Sequence, residues 1–245
     1  MALVFVLSFC IVRFWLMRLG GPMTLERRAH WVQIASRMIL GSLGISSKVE
    51  GKPPASGLVV ANHLSYLDIL ILSAAMPCFF VAKMEIESWP YFGRAAAMGG
   101  TLFLDRSSLQ SAMTVAEKMI ERLKLPVPVL LFPEGTSTDG KEVLRFHSRL
   151  IDPATSVGAP ITAAALRYII KGGIEKDLCW YDDTTFANHL WSVLGVEDFS
   201  AKVYFGEARV YPHRRVAADE THAEITAWRV ATDPASKIST TAQNH

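Results

Sequence analysis

The residues best suited to acid–base chemistry stand in Asn62-His63-Leu64-Ser65-Tyr66-Leu67-Asp68. Imidazole is the usual general base near neutral pH. A carboxylate on its second nitrogen fixes the tautomer and stabilises the imidazolium that forms. A spacing of five does not put two side chains on one helical face. It works if His63 sits in a loop and Asp68 folds back from the first turn of the next helix, with Ser65 as N-cap and Asp68 at the third helical position. The same spacing permits a purely structural role, because Ser65-x-x-Asp68 has the form of a capping box. The spacing permits both roles, and on the pair alone the structural one is favoured.

Two further stretches carry polar groups behind apolar runs. In Phe132-Pro133-Glu134-Gly135-Thr136-Ser137 a strand ends at a proline, followed by a carboxylate, a glycine and two hydroxyls. Gly135 permits close backbone approach, and backbone N–H groups with the Thr136 hydroxyl suit a phosphate or another polar headgroup. An ordinary Pro-Glu-Gly turn would look the same. In Gly99-Gly100-Thr101-Leu102-Phe103-Leu104-Asp105-Arg106, Arg106 is able to grip an anion bidentately. Lys83, after Phe80-Val81-Ala82, is a further headgroup candidate or simply a solvated lysine.

These groups have to be positioned by strands. Short apolar runs at Leu58–Val60, Phe79–Val81, Thr101–Leu104, Val127–Phe132, Ile161–Leu166 and Lys202–Phe205 read as strands. Helical spacing covers Tyr66–Ala75, Pro90–Met98, Leu109–Leu125 and residues 216–230. The alternation predicts an α/β fold with a mixed, largely parallel central sheet flanked by helices. His63, Arg106 and Glu134 each follow a strand, and in open α/β sheets ligand crevices lie beyond the carboxyl ends of strands. The three are therefore expected to converge.

The first 45 residues differ. Residues 2–12 are almost wholly apolar, Arg13 interrupts, and Phe14–Met17 are apolar again. A second helical stretch, Leu25–Leu43, follows the break at Gly20-Gly21-Pro22. Six Arg or Lys and one Glu occur up to residue 49. The apolar run is shorter than the roughly 20 residues of a spanning helix and lacks the order of a cleaved signal peptide. It is expected to be a membrane-associated helical hairpin at the cytoplasmic face of the inner membrane. The expected organisation is a hairpin over 1–45, a catalytic domain over 46–233 and a flexible tail over 234–245.

Taken in order, Asn-His-x-x-x-x-Asp, Gly-Thr-x-Phe-x-Asp-Arg and Phe-Pro-Glu-Gly-Thr-Ser resemble the glycerolipid acyltransferase family, over about residues 48–210. A fourth block matches at Gly158-Ala159-Pro160, with Ala163 where the family usually has a second proline. Phe80-Val81-Ala82-Lys83, Trp89-Pro90-x-x-Gly93 and Phe132 to Gly140 are similar to the lyso-ornithine lipid O-acyltransferase branch. The resemblance implies transfer of a fatty acyl group from a thioester, of acyl carrier protein or coenzyme A, to the hydroxyl of a lysolipid. Lysophosphatidate is the first expectation and lyso-ornithine lipid the alternative. It implies catalysis by His63 and Asp68, substrate binding by Arg106, Glu134, Gly135, Thr136 and Lys83, and neither cofactor nor metal.

Rival functions fare less well. A lipid hydrolase would need a nucleophile on a G-x-S-x-G elbow, and the chain has none. The intact His63–Asp68 pair argues against a non-catalytic lipid-binding protein on the same fold, which stays the other alternative. A net charge of +2 over 245 residues gives no reason to expect a nucleic-acid partner. The seven histidines and three cysteines show no metal-ligand spacing.

Overall fold

The computed structural model describes residues 2–89, 92–182, 184–196 and 198–233. Two helices come first, α1 (Ala2–Leu19) and α2 (Leu25–Ser42), then strands β1 (Ser46–Glu50) and β2 (Leu58–Ala61). There follow α3 (Leu67–Ala75), β3 (Phe79–Lys83), α4 (Phe92–Gly99), β4 (Leu102–Leu104), α5 (Leu109–Leu123) and β5 (Val129–Leu131). The chain continues through α6 (Asp152–Ser156), β6 (Ile161–Ile170), α7 (Phe186–Leu194), β7 (Phe199–Phe205) and α8 (Arg214–Ala231). The helix expected from Pro90 is α4; Pro90 itself, like the tail from 234, lies outside the described residues.

Among the described residues seven strands form one sheet in the order β1-β7-β6-β2-β5-β3-β4. The five strands from β6 to β4 are parallel. β7 runs antiparallel to β6, and β1 parallel to β7. The largely parallel sheet expected from the alternation is therefore present, with a reversed two-stranded edge.

Every residue of β2 is buried, as strands covered on both faces require. The two-residue period of the strand sorts them. Leu58 and Val60 join Val129, Leu131, Ile161 and Ala163 in a core closed by Val115 and Met119 of α5 and Ile225 of α8. Val59 and Ala61 face the other way, with Leu130 and Ala164, against Ile71 and Leu72 of α3 and Leu40 of α2.

α1 and α2 form a hairpin. The Trp31 indole donates to the Cys10 carbonyl at 2.9 Å and its ring meets Phe14 edge-on at 5.0 Å. The Arg27 guanidinium reaches the Pro22 and Met17 carbonyls, each at 2.8 Å, and closes the turn. Arg37 donates to the Ala74 carbonyl at 2.8 Å, tying α2 to the end of α3. The outward side of α1 exposes Phe5, Ile11, Val12, Trp15, Leu16 and Leu19. Among the described residues no helix is long and apolar enough to cross a membrane.

Candidate active site

His63 lies two residues beyond β2, Arg106 two beyond β4 and Glu134 three beyond β5. These strands are parallel, so their carboxyl ends share one edge of the sheet, where backbone groups are free of the ladder and side chains converge.

The His63 Nδ1 stands 2.8 Å from Asp68 Oδ2. The same oxygen accepts the Leu64 N–H at 2.7 Å and the Ser65 N–H at 3.1 Å. The other oxygen accepts the Tyr168 hydroxyl. Burial, and the Asp68 carboxylate beside it, hold the Tyr168 phenol well above its ordinary range, so it remains a donor. A carboxylate surrounded by donors requires Nδ1 to carry its hydrogen too, which leaves the lone pair on Nε2. Asp68 is fully buried, whereas the His63 side chain keeps 20% of its surface exposed. The ring is stacked on Phe132 at 4.1 Å between centroids and 13° between planes.

The helix begins one residue later than the capping box implies. Tyr66 is the N-cap and Asp68 the second helical residue. Ser65 Oγ accepts from the Leu67 N–H at 3.0 Å instead of from Asp68, while the Asp68 carboxylate does take the Ser65 N–H. One oxygen thus closes the helix start and orients His63, so the two roles that the spacing left open coexist.

Glu134 is buried and spans two loops. Its Oε1 accepts the His63 N–H and its Oε2 the Leu144 N–H, each at 2.7 Å. Burial pushes its carboxyl up to about 7, against those two hydrogen bonds and the nearby His63 and Arg229. Both oxygens are occupied by backbone, so Glu134 positions the site from behind. Gly135 has φ +82°, open to glycine at little cost, and its carbonyl accepts from the Arg106 guanidinium. A Cβ here would stand 3.1 Å from Arg106 Nη1 and 3.2 Å from His147 Cδ2. Thr136 is exposed, its hydroxyl turned to the Ser137 carbonyl at 3.4 Å. Lys83 ends β3 with its ammonium 3.9 Å from Glu85, and no described contact joins it to the others.

A cavity of about 110 Å³ lies against Phe132, on which the His63 ring is stacked. Val81, Leu104, Met119, Leu131 and Phe132 are among its apolar walls, and Arg106 and Arg149 are its charged lining residues. Phe132 is thus both a wall of the cavity and the surface on which His63 rests. A wider hollow of about 510 Å³ is lined by Thr136, Ser137, Asp139, Glu142 and Asp182 among others.

Together these features give a general base with a fixed tautomer, a cationic group beside it and an apolar recess. The acyltransferase family profile matches residues 46–167. A 1-acyl-sn-glycerol-3-phosphate acyltransferase of Neisseria meningitidis serogroup B is 32% identical, over 80% of this chain and 80% of its own length. The chain belongs to the acyltransferase family. A lyso-ornithine lipid O-acyltransferase of Pseudomonas aeruginosa is 32% identical over 67% of this chain and 64% of that one. The crystal structure of the LPA acyltransferase PlsC from Thermotoga maritima superposes with a TM-score of 0.66 at 16% identity. It covers 91% of this chain and 87% of its own, a likeness of fold.

Several residues that build the site of this acyltransferase have no signal in the motifs. Tyr168 lies a hundred positions from Asp68, inside the apolar run of β6. Asn62 is buried and holds the Leu166 backbone from both sides, at 2.8 and 3.1 Å. Arg229 of α8 donates to the carbonyls of Leu166 and Gly140 and pairs with Glu175 at 2.8 Å. It thereby pins the loop that follows Glu134 to β6. A buried polar residue within an apolar strand is a signal for Tyr168, though not for its partner. Arg149 follows no strand and carries no signal at all.

Proposed function

We propose that the protein transfers a fatty acyl group from an acyl thioester to the free hydroxyl of lysophosphatidate, giving phosphatidate, with His63 as general base. The observation that carries this reading is the His63–Asp68 pair, held with Nε2 free beside the Arg106–Gly135 contact. Nε2 takes the hydroxyl proton as the oxygen attacks the thioester carbonyl. The tetrahedral intermediate collapses, the carbon–sulfur bond breaks, and the His63 imidazolium returns the proton to the leaving thiolate. Asp68 stabilises the imidazolium between the two steps. No acyl-enzyme is formed, and no metal or cofactor takes part. Arg106 and Arg149 are the groups for the acceptor phosphate, with Gly135 and Thr136 offering backbone and hydroxyl. The donor is acyl carrier protein or coenzyme A thioester.

The same reading seats α1 and α2 in the cytoplasmic face of the inner membrane. The acceptor already buries its acyl chain in the bilayer, at about 0.8 kcal/mol per CH₂. An enzyme lying in the interface need lift only the headgroup region. The exposed apolar side of α1 and the arginines of the hairpin support this seat.

Lyso-ornithine lipid is the second reading, favoured by one observation. The wider hollow beside Thr136 is lined by three carboxylates, Asp139, Glu142 and Asp182, and ornithine brings an ammonium as well as a carboxylate. The test is an acceptor panel with one radiolabelled acyl thioester and the full chain. Phosphatidate should be the fastest-labelled product. Faster labelling of ornithine lipid would replace the first reading by the second. Free fatty acid released without any acceptor would overturn acyl transfer.

A further inference from the structure

Helix α7 contains no Asp, Glu, Lys or Arg, yet it lies at the surface. Its inner face holds His189 and Val193, while Trp191 is 74% and Leu194 40% exposed. Phe186, at its start, meets Tyr66 at 4.9 Å, Trp89 at 5.0 Å and Phe92 of α4 at 5.0 Å. His189 bonds the Tyr66 hydroxyl at 3.1 Å and the Cys179 carbonyl at 3.0 Å. The cluster is bonded to the catalytic loop, since the Trp180 N–H donates to the Leu64 carbonyl at 2.8 Å.

α4 has the same character. Its one charged residue is Arg94, and Phe92 at its outer end is 47% exposed. At its other end Met98 packs on the Cys10–Phe14–Trp31–Ala35 seam of the hairpin. α1, α4 and α7 are thus linked beside the His63 loop by the Met98 and Phe92 contacts, and none of the three helices carries an acid, although Glu85 and Glu87 stand exposed on the Met84–Ser88 turn that packs against α4. Single exposed apolar residues are ordinary on a soluble surface, whereas a contiguous group of them marks a contact. Tryptophan with an apolar body and a polar edge is suited to the headgroup region of a bilayer.

We propose that α4 and α7 form a second seat on the bilayer, separate in sequence from the hairpin. Trp191, Leu194 and Phe92 enter the boundary between headgroups and acyl chains of an anionic leaflet, and Arg94 meets its phosphates. With the hairpin and this second seat both in contact, the protein has a fixed tilt, and the His63 loop faces the leaflet that holds the acceptor. The inference rests on the reading that the acceptor is a membrane lysolipid. The exposed tryptophan of α7 and the packing of α4 on the hairpin at Met98 favour a phospholipid surface over a protein partner.

The three cysteines are buried, so Trp191→Cys places the one exposed thiol on α7. Labelled there with an environment-sensitive fluorophore, the full-length protein should shift to the blue on binding phosphatidylglycerol vesicles. It should also lose access to aqueous iodide. A probe still quenched by iodide on vesicle-bound protein would overturn the seat. So would a blue shift that appears with rising protein concentration and no vesicles, which would assign the face to a second copy. In a second arm, Trp191→Glu should lower turnover of vesicle-borne lysophosphatidate at least about tenfold. Turnover of a short-chain, water-soluble lysophosphatidate should be unchanged. Equal loss on both acceptors would reduce α7 to a structural role and sink the proposal. Wild-type protein inactive on either acceptor would instead remove the proposed function, and the fluorophore would still decide the seat.

Discussion

At the scale of the residue, the site depends on how many donors share one carboxylate. Asp68 Oδ2 takes His63 Nδ1 and two backbone N–H groups, and Oδ1 takes Tyr168. His63→Ala should reduce turnover by at least about 10²-fold, the lower range for a lost general base. Asp68→Asn keeps an oxygen for Nδ1 but loses the charge that stabilises the imidazolium. Its turnover should fall by a similar factor of about 10², with a stability cost of only about 1–2 kcal/mol. Steady-state kinetics with thermal unfolding of both variants checks this; unfolding with specific activity preserved would leave Asp68 a cap alone. Glu134 makes a prediction about pH. Its folded-state pKa of about 7 lies above the ordinary 4.5, so the folded protein holds this proton more tightly than the unfolded chain. That contribution to stability is full below about pH 4.5 and is lost as pH rises through about 7, on the order of 3 kcal/mol in all. The melting temperature of the wild type should therefore drop more between about pH 5 and pH 8 than that of Glu134→Gln. Parallel slopes for the two proteins would remove Glu134 as the titrating group.

At the scale of the element, the turn after β5 brings the Arg106–Gly135 contact to the side of the proposed base. Gly135 stands with φ +82° between Arg106 and His147. Gly135→Ala adds a methyl where only a glycine is comfortable, at a cost of about 1–2 kcal/mol. It also pushes the Arg106 guanidinium from the Gly135 carbonyl. The expected result is a raised KM for the anionic acceptor with a smaller change in kcat, read from initial rates across acceptor concentrations. A variant with wild-type KM would detach Arg106 from acceptor binding. Elements with a strong local pattern were legible in advance: β2, β5 and β6 as short apolar runs, α5 and α8 by helical spacing. β1 was not. Its Ser-Ser-Lys-Val-Glu is mostly exposed, and it is a strand because β7 supplies its hydrogen bonds. α7 was also missed, being a short helix whose packed face is defined by Tyr66 and Cys179 from elsewhere in the chain.

At the scale of the whole molecule, the chemistry and the proposed membrane seat are joined through α2, which packs on α1, α3 and α4. Leu16 and Leu19 are 60% and 83% exposed, so Leu16→Glu with Leu19→Glu should leave the fold intact. If α1 lies in the interface, the double variant should bind anionic vesicles at least about 10²-fold more weakly, since each leucine buried in lipid contributes about 1.5–3 kcal/mol. Co-sedimentation measures it, and unchanged binding would take α1 out of the interface. The sequence by itself determined the layered α/β class and the largely parallel strands, and it singled out the His63 loop and the Glu134-Gly135-Thr136 turn as the candidate site. Those follow from local periodicity and from chemistry concentrated in short motifs. Only the tertiary structure decided that β7 reverses, that Tyr168, Asn62 and Arg229 brace the site, and that Arg149 lines the same cavity as Arg106. It also decided which donors the Asp68 carboxylate meets. Cap and orienting carboxylate look alike along the chain, because a hydrogen bond depends on where oxygen and donors meet in space and not on how many residues separate them.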